Sequence, residues 1–168
     1  MTKLFLVRHG ETFDNASQLM QGQLQGELNA TGKAQAESLA GQLKDEHFDA
    51  IVCSDLHRAI QTAEIIARPH QLTLTTTPLL RERDWGDFTG RYIPDLKGLP
   101  FPENTETLEH LLKRAALFLD FIRNSYPGKQ VLAVGHGIVN KAVQAVLTGK
   151  DMRDIVRMNN AEVRILEI

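Results

Sequence analysis

The chain has 168 residues and a net charge of −2, with 42% hydrophobic and 24% charged residues. These values are typical of one globular domain, and they provide no general field that would attract nucleic acid or an anionic membrane. The apolar run after Met1 is too short for a signal peptide or a membrane span, and a single cysteine excludes an internal disulfide. We therefore predict one domain over residues 1–168, a cytoplasmic location and a buried structural thiol at Cys53.

Apolar runs and helical periods alternate along the chain. Strands are predicted at residues 3–7, 50–53, 72–75, 130–135 and 162–168. Helices are predicted from Thr31-Gly32 to Leu43, from a cap at Ser54 or Asp55 to Arg68-Pro69, from Thr105 or Thr107 to Ser125, and from His136-Gly137 to Leu147. Residues 10–29 and 84–104 show no helical period and are predicted to be loops.

The strand cores are continuous apolar runs and do not alternate with polar residues. This pattern predicts an α/β fold, a three-layer sandwich whose central sheet is mostly parallel and flanked by helices on both faces. In such folds, ligands bind beyond the carboxyl ends of the strands.

Chemically reactive side chains follow the ends of these predicted elements. Arg8 and His9 come directly after the first strand, Arg58 lies shortly after the second, and His136 follows the fourth. Glu82 follows the apolar pair at residues 79–80. Because the carboxyl ends of parallel strands meet at one edge of a sheet, we expect these five residues to converge there.

Such a convergence is suited to phosphate chemistry. Two arginines present donor forks that match phosphate oxygens, and the N-termini of the helices after Ser54 and His136 add backbone donors. The sequence contains neither a Walker-type lysine loop nor a clustered acidic set, so we expect a pocket without metal. Neutral His9 is a competent nucleophile near neutral pH, and Glu82 is placed to protonate a leaving oxygen and then activate water.

Taken singly, each residue also has a purely structural interpretation. Arg58 fits a solvated helix arginine, Glu82 a surface ion-pair partner, and His136 a strand-end histidine bonded to the backbone. Trp85 and Phe88 fit either a substrate entrance or packing over the rim of the sheet. The remaining histidines belong to no motif and are assigned to the surface or to helix faces; they are His47, His57, His70 and His110.

Several segments together resemble one known family. RHGET at residues 8–12 resembles the signature of the histidine phosphatase superfamily, in its phosphoglycerate-mutase-like branch. Further segments are similar to its other motifs, in the family's order: LNATG at 28–32, SDLHRAIQTA at 54–63, LRERDWG at 80–86 and VGHG at 134–137. The resemblance spans nearly the whole chain, although Thr105 stands where the family has a glycine.

The resemblance implies a role for each matching residue. His9 would become phosphohistidine, while Arg8, Arg58 and His136 would hold the phosphoryl oxygens and Glu82 would donate the proton. Asn15 falls where the family often has a further phosphate-contacting asparagine, and Gln21 and Gly22 lie in a loop that often borders substrate. The resemblance implies no cofactor.

The reaction class remains a choice between alternatives. Mutases of this family carry a long insertion after the Glu motif, with paired arginines that bind the substrate carboxylate. Here about twenty residues separate Trp85 from Thr105, without an Arg-Arg pair. This favours a phosphatase acting on a small phosphorylated metabolite over a cofactor-dependent phosphoglycerate mutase. A phosphoprotein phosphatase and a non-catalytic phosphate-binding domain are further alternatives, and a homodimer is left open.

Overall fold

A five-stranded β-sheet runs through the middle of the computed structural model, which describes residues 1–168. The strands are β1 (Lys3–Arg8), β2 (Ala50–Ser54), β3 (Leu74–Thr77), β4 (Gln130–Gly135) and β5 (Val163–Glu167). Their order is β3-β2-β4-β1-β5, with the first four strands parallel and β5 antiparallel to β1. The predicted mostly parallel sheet is therefore confirmed, with an antiparallel strand at one edge.

Helices cover both faces of this sheet. The longer ones are α2 (Ala30–Leu43), α3 (His57–Ala67), α5 (Leu108–Ser125) and α6 (Gly137–Thr148), and the two short ones are α1 (Phe13–Ala16) and α4 (Ile93–Leu96). Successive side chains of a strand point to opposite faces, so Phe5 and Val7 of β1 pack with α2 and α3, whereas Leu4 and Leu6 pack with α5 and α6. The two apolar cores confirm the three-layer sandwich. None of the helices is long and apolar enough to cross a membrane.

The prediction of two featureless loops is wrong in part. Residues 10–29 contain α1, where Thr12 accepts a hydrogen bond from the Asn15 backbone and the Asn15 side chain accepts one from the Thr12 backbone. Residues 84–104 contain a 3-10 turn, Gly86–Phe88, and α4. Both helices have only four residues, too few to display a helical period.

Two predicted boundaries are also wrong. The third strand begins and ends two residues later than expected, because its register with β2 pairs Ile51 with Leu74 and Ser54 with Thr77. Helix α3 begins after Leu56 without a side-chain cap from Ser54 or Asp55. Instead, the His57 amide donates to the side chain of Gln25, which is remote in sequence.

The other helix starts agree more closely with the prediction. Helix α5 is capped by Thr107, whose hydroxyl accepts a hydrogen bond from the backbone of His110. Helix α2 starts one residue before Thr31, with the side chain of Asn29 accepting from Gly32.

The residues assigned to structural or surface positions mostly lie where predicted. Cys53 is fully buried, and burial raises the pKa of its thiol to about 12, so the thiol stays protonated and inert. His47, His57 and His110 are exposed. His70 is half-buried and its ring lies 5.0 Å from that of Phe48.

The core between the sheet and α5 yields a stability prediction. Phe118 is completely buried in this core, whereas its neighbour Leu117 is 58% exposed. Replacing Phe118 with Ala leaves a cavity and should lower the free energy of unfolding by about 3–5 kcal/mol. Leu117→Ala should change it by less than ~0.5 kcal/mol. Urea unfolding of both variants checks this, and equal losses would contradict the described packing.

Candidate active site

The carboxyl ends of three neighbouring parallel strands meet at one edge of the sheet. Arg8 ends β1 and His9 follows it, Ser54 ends β2, and His136 follows β4. The register pairs Arg8 with Gly135, so the imidazoles of His9 and His136 come together with ring centroids 5.1 Å apart. The strand pairing itself positions the first members of the site.

His9 is held in one tautomer and one orientation. Its side chain is buried, and its Nδ1 lies 2.7 Å from the carbonyl oxygen of Gly10, so Nδ1 carries the proton and donates it. Its Nε2 therefore presents a lone pair, which accepts a hydrogen bond from Nε of Arg58 at 3.3 Å. Burial and the positive charge of Arg58 lower the pKa of His9 well below its ordinary value. In this state the Nε2 atom of His9 is chemically able to act as a nucleophile.

Arg58 is the largest completely buried side chain near the site, with 1% of its surface exposed. Its guanidinium donates to main-chain carbonyl oxygens of one loop: Gly22 at 2.8 Å, Leu24, and Gln25 at 3.4 Å. No carboxylate pairs with it directly. Burial lowers the pKa of Arg58 to about 10, so it remains a cation at neutral pH.

Arg8 is held by a residue near the C-terminal end of the sequence. Its Nη1 donates to the carbonyl oxygen of Met158 at 2.7 Å, while its Nε is buried without a hydrogen-bond partner. Burial, and then the charge of Arg157, lower the pKa of Arg8 to about 10. Arg8 is therefore a second protonated guanidinium beside His9.

His136 is completely buried against the end of β2. Its Nε2 lies 2.8 Å from the hydroxyl of Ser54, and its Nδ1 has no partner within the chain. The Ser54 oxygen accepts from the Leu56 amide, and its own proton can be donated to His136 Nε2. In that arrangement Nδ1 carries the imidazole proton and is an available donor. Burial and the charge of Arg58 lower the pKa of His136 well below its ordinary value.

Glu82 is buried at the start of α6. One carboxylate oxygen accepts from the amides of Arg83 and Val139, both at 2.9 Å, and the other accepts from the amide of Ile138 at 3.0 Å. A carboxylate at a helix N-terminus is favoured by the free amides and by the helix dipole. Glu82 is thus not a surface ion-pair partner.

The arginines on either side of Glu82 have other partners. Arg81 forms a bidentate pair with Asp55, with two bonds of 2.7 Å, and Arg83 donates to the carbonyl oxygen of Glu106. Behind this segment, Arg114 donates to the carbonyl oxygens of Leu79 and Arg81. These bonds fix the backbone that carries Glu82.

The three residues that the sequence assigned to substrate or phosphate binding, Asn15, Gln21 and Gly22, also lie at the site. The Oδ1 of Asn15 caps the Thr12 amide, which leaves the NH₂ group of Asn15 free for a ligand. Gln21 is buried and its Oε1 accepts a hydrogen bond from the hydroxyl of Thr12 at 2.9 Å. Gly22 has a φ of +50° and uses its carbonyl oxygen to hold Arg58.

These side chains surround a pocket of about 330 Å³ with a mixed lining. Its polar residues are Arg8, His9, Asn15, Gln21, Gly22, Arg58, Glu82 and Arg157. Its apolar residues are Leu19, Met20, Trp85, Ile93, Phe101 and Ile138. His136 is completely buried and is not part of the lining, whereas all the other predicted site residues line this one pocket. No group of three or more His, Cys, Asp or Glu side chains is arranged to hold a metal ion.

The two aromatic residues left open by the sequence have different positions. Trp85 lines the pocket, and the guanidinium of Arg83 lies 4.9 Å from the centre of its ring. Phe88 is buried beside Phe101, outside the pocket lining. Trp85 is thus placed to contact a ligand, whereas Phe88 packs behind the lining residue Phe101.

Sequence reasoning missed the contribution of residues 157–160. Arg157 lines the pocket, and the side-chain amide of Asn160 donates to the carbonyl oxygen of His9 at 3.0 Å. Neither residue belongs to a recognised motif or follows a predicted strand. They reach the site because β5 turns back to pair with β1, a contact between the two ends of the chain.

A buried neutral histidine thus lies with arginines and a carboxylate at the ends of parallel strands, an arrangement that is chemically suited to phosphoryl transfer. Residues 4–168 match the histidine phosphatase superfamily (branch 1). The chain belongs to this family.

Similar proteins in this family include both phosphatases and mutases by name. The chain is 39% identical to the uncharacterised phosphatase PhoE of Bacillus subtilis, over 90% of this chain and 80% of that protein. It is 35% identical to the probable phosphoglycerate mutase GpmB of Yersinia enterocolitica, over 89% of this chain and 76% of that protein. A mycobacterial glucosyl-3-phosphoglycerate phosphatase, solved with VO3, superposes with a TM-score of 0.89 at 28% identity, covering 98% of this chain and 90% of its own.

The two buried histidines predict a pH dependence of stability. Both have lowered pKa values in the fold, whereas an unfolded histidine has a pKa of about 6.5, so acid protonates the unfolded chain first. Their contribution is complete above about pH 6.5 and is lost as the pH falls toward the lowered folded values. As the pH falls through this range, each histidine should lower the free energy of unfolding by up to about 1.4 kcal/mol per pH unit.

Urea unfolding between pH 7 and pH 5.5 measures this slope. The His9→Gln variant should show a slope smaller by up to about one proton. Equal slopes in the parent and the His9→Gln variant would disprove a lowered pKa at His9.

Proposed function

We propose that the protein is a metal-independent phosphatase that hydrolyses phosphomonoesters of small metabolites through a phosphohistidine on His9. The observation that carries this proposal is the state of His9: Nδ1 bonded to Gly10, Nε2 bearing the lone pair, and a neutral ring beside cationic Arg58. A neutral imidazole nucleophile that faces a cationic pocket is suited to attack a phosphate dianion.

In the first step, His9 Nε2 attacks phosphorus. The new N–P bond forms as the bond from phosphorus to the ester oxygen breaks, and that oxygen takes the proton held by Glu82. In the second step, the Glu82 carboxylate takes a proton from water, whose oxygen attacks phosphorus as the N–P bond breaks. Inorganic phosphate leaves, and both His9 and Glu82 return to their starting states.

The donors around His9 support a role in stabilising the transferred group. Arg8 Nε and His136 Nδ1 are buried without partners, and such groups are costly unless an acceptor meets them. We propose that phosphoryl oxygens are these acceptors, together with bonds from Arg58 and the free NH₂ group of Asn15. Donors that are fixed in advance stabilise the transition state at little reorganisation cost. Gln21 and Gly22 then act mainly by holding the loop around Arg58.

The position of Glu82 supports an acid and base that acts beside the leaving group. Three backbone amides hold its carboxylate at the N-terminus of α6, where it can pass a proton to the ester oxygen and later take one from water.

We infer the substrate class from the volume of the pocket and from its polar and apolar lining residues. A volume of about 330 Å³ fits a small metabolite, with its phosphate against the polar residues and its alcohol portion against Trp85 and Phe101. The named activity of the mycobacterial neighbour, a phosphatase of a phosphorylated metabolite, supports this assignment. The buried single thiol agrees with the reducing cytoplasm that we propose as the location.

Removing the nucleophile tests the mechanism directly. The parent protein should hydrolyse p-nitrophenyl phosphate in the presence of EDTA, and His9→Ala should lose at least about 10⁴-fold in kcat because no other group forms the N–P bond. His47→Ala, a change at an exposed histidine, should keep parental turnover. Substantial activity in His9→Ala would rule out the phosphohistidine route, and inhibition by EDTA would rule out metal independence.

Removing the proton donor should have an effect that depends on the leaving group. Glu82→Gln should lower kcat by about 10²–10⁴-fold for glycerol phosphate, whose alkoxide needs a proton. The loss should be smaller for p-nitrophenyl phosphate, because p-nitrophenolate leaves without one. Thermal unfolding serves as the control, since Glu82 also caps α6. Equal losses on the two esters would argue against Glu82 as the general acid.

A phosphoglycerate mutase is the second candidate, because the chain is 35% identical to probable mutase GpmB. The short segment after Glu82 and the absence of an Arg-Arg pair favour the phosphatase. Assaying 3-phosphoglycerate with and without 2,3-bisphosphoglycerate separates the two: release of inorganic phosphate supports the phosphatase, and formation of 2-phosphoglycerate supports the mutase.

A further inference from the structure

We infer that Arg157 recognises a second anionic group on the substrate, a carboxylate or a second phosphate, next to the phosphate that is hydrolysed. The inference rests on the proposed function and narrows its substrate class. It assigns a specificity role to a residue outside the sequence motifs, on the segment between α6 and β5.

The guanidinium of Arg157 has no acidic partner within the chain. The neighbouring arginines are paired: Arg153, on the same segment, with Asp151 at 3.0 Å, and Arg164, in β5, with Glu162 at 2.7 Å. Glu162, an acid close to Arg157 in sequence, is thus already occupied by Arg164. Arg157 instead lines the pocket together with Arg8.

The position of Arg157 depends on a glycine beneath it. A Cβ atom added at Gly137 would lie 2.9 Å from Nε and 3.0 Å from Nη2 of Arg157, so any side chain at position 137 would displace the guanidinium. Gly137 is the first residue of α6, directly before the amides of Ile138 and Val139 that hold Glu82. Arg157 therefore lies against the N-terminus of α6, the same helix end that holds Glu82.

The backbone on both sides of Arg157 is fixed. The carbonyl oxygen of Val156 accepts from Arg164 at 2.7 Å, and that of Met158 accepts from Arg8 at 2.7 Å. The Met158 side chain is buried in the core. Arg157 is thus a long side chain on a rigid base, which lowers the entropy lost when it binds a ligand.

The charges of the pocket leave one cation to be balanced. Three guanidinium groups and one carboxylate line it, and the two histidines are neutral. When Glu82 carries the proton that it donates, a phosphate dianion balances two of the three guanidinium groups. Arg157 repels Arg8 strongly enough to contribute to its lowered pKa, so a further negative charge between them is favoured.

A matched substrate pair tests the inference. 3-Phosphoglycerate and glycerol 3-phosphate share a carbon skeleton, but 3-phosphoglycerate has a carboxylate where glycerol 3-phosphate has a hydroxymethyl group. The parent should prefer 3-phosphoglycerate in kcat/KM, and Arg157→Gln should reduce that preference by about tenfold or more. Arg157→Lys should recover part of it, because it keeps the charge without the planar fork. Arg153→Gln, an exposed arginine of the same segment, should match the parent.

A second pair identifies the source of the anion. A second phosphate is the recognised group if Arg157→Gln lowers kcat/KM more for propane-1,3-diol bisphosphate than for propane-1,3-diol monophosphate, while the preference for 3-phosphoglycerate over glycerol 3-phosphate is unchanged. Equal losses of kcat/KM on every ester would mean that Arg157 binds the hydrolysed phosphate. Unchanged kcat/KM ratios for both substrate pairs would give Arg157 no role in recognition. Either result overturns the inference, while continued His9-dependent hydrolysis would leave the proposed function standing.

A binding measurement provides a readout without turnover. In the His9→Ala background, calorimetry should give tighter binding of 3-phosphoglycerate than of glycerol 3-phosphate. Adding Arg157→Gln should remove most of that difference. An undiminished difference would overturn the inference even if the parent hydrolysed neither ester.

Discussion

The bonds that hold Arg58 determine much of the site's character. A buried guanidinium usually requires a carboxylate, but here main-chain carbonyl oxygens of Gly22, Leu24 and Gln25 take that role. Carbonyl oxygens satisfy the donors without cancelling the charge. Burial and this uncancelled charge together lower the pKa of His9, and three arginines line the pocket although the whole chain has a net charge of −2. The loop that holds Arg58 therefore contributes to the neutral state of a histidine at the end of the sheet.

Glu82 connects the proposed chemistry to the stability of the fold. Its carboxylate closes the N-terminus of α6, and its own segment is fixed by Arg114 and Glu106. The group that would take and release a proton in the proposed mechanism is thus also a structural cap. Changes at this position affect helix stability and proton transfer together, which is why the two effects need separate measurements.

The sequence predicts well those features that arise from local pattern. His9 and His136 directly follow continuous apolar strands, and parallel pairing brings strand ends together whatever the loops do. Features that depend on distant partners were not predictable: Gln25 replaces a local cap for α3, and pairing with β2 sets the bounds of β3. Arg157 is the clearest case, since only the antiparallel return of β5 brings its segment to β1.

Main-chain bonds join residues 18–20 to residues 90–93, two segments that contribute apolar residues to the pocket. Met20 exchanges hydrogen bonds with Gly90 and Arg91, and Ile93 donates to Gln18. These segments contribute no strand to the sheet. The loop that includes Gln18 and Met20 continues into Gly22, Leu24 and Gln25, which hold Arg58. Insertions or deletions within residues 86–104 can therefore alter both the shape of the pocket and the position of that buried cation.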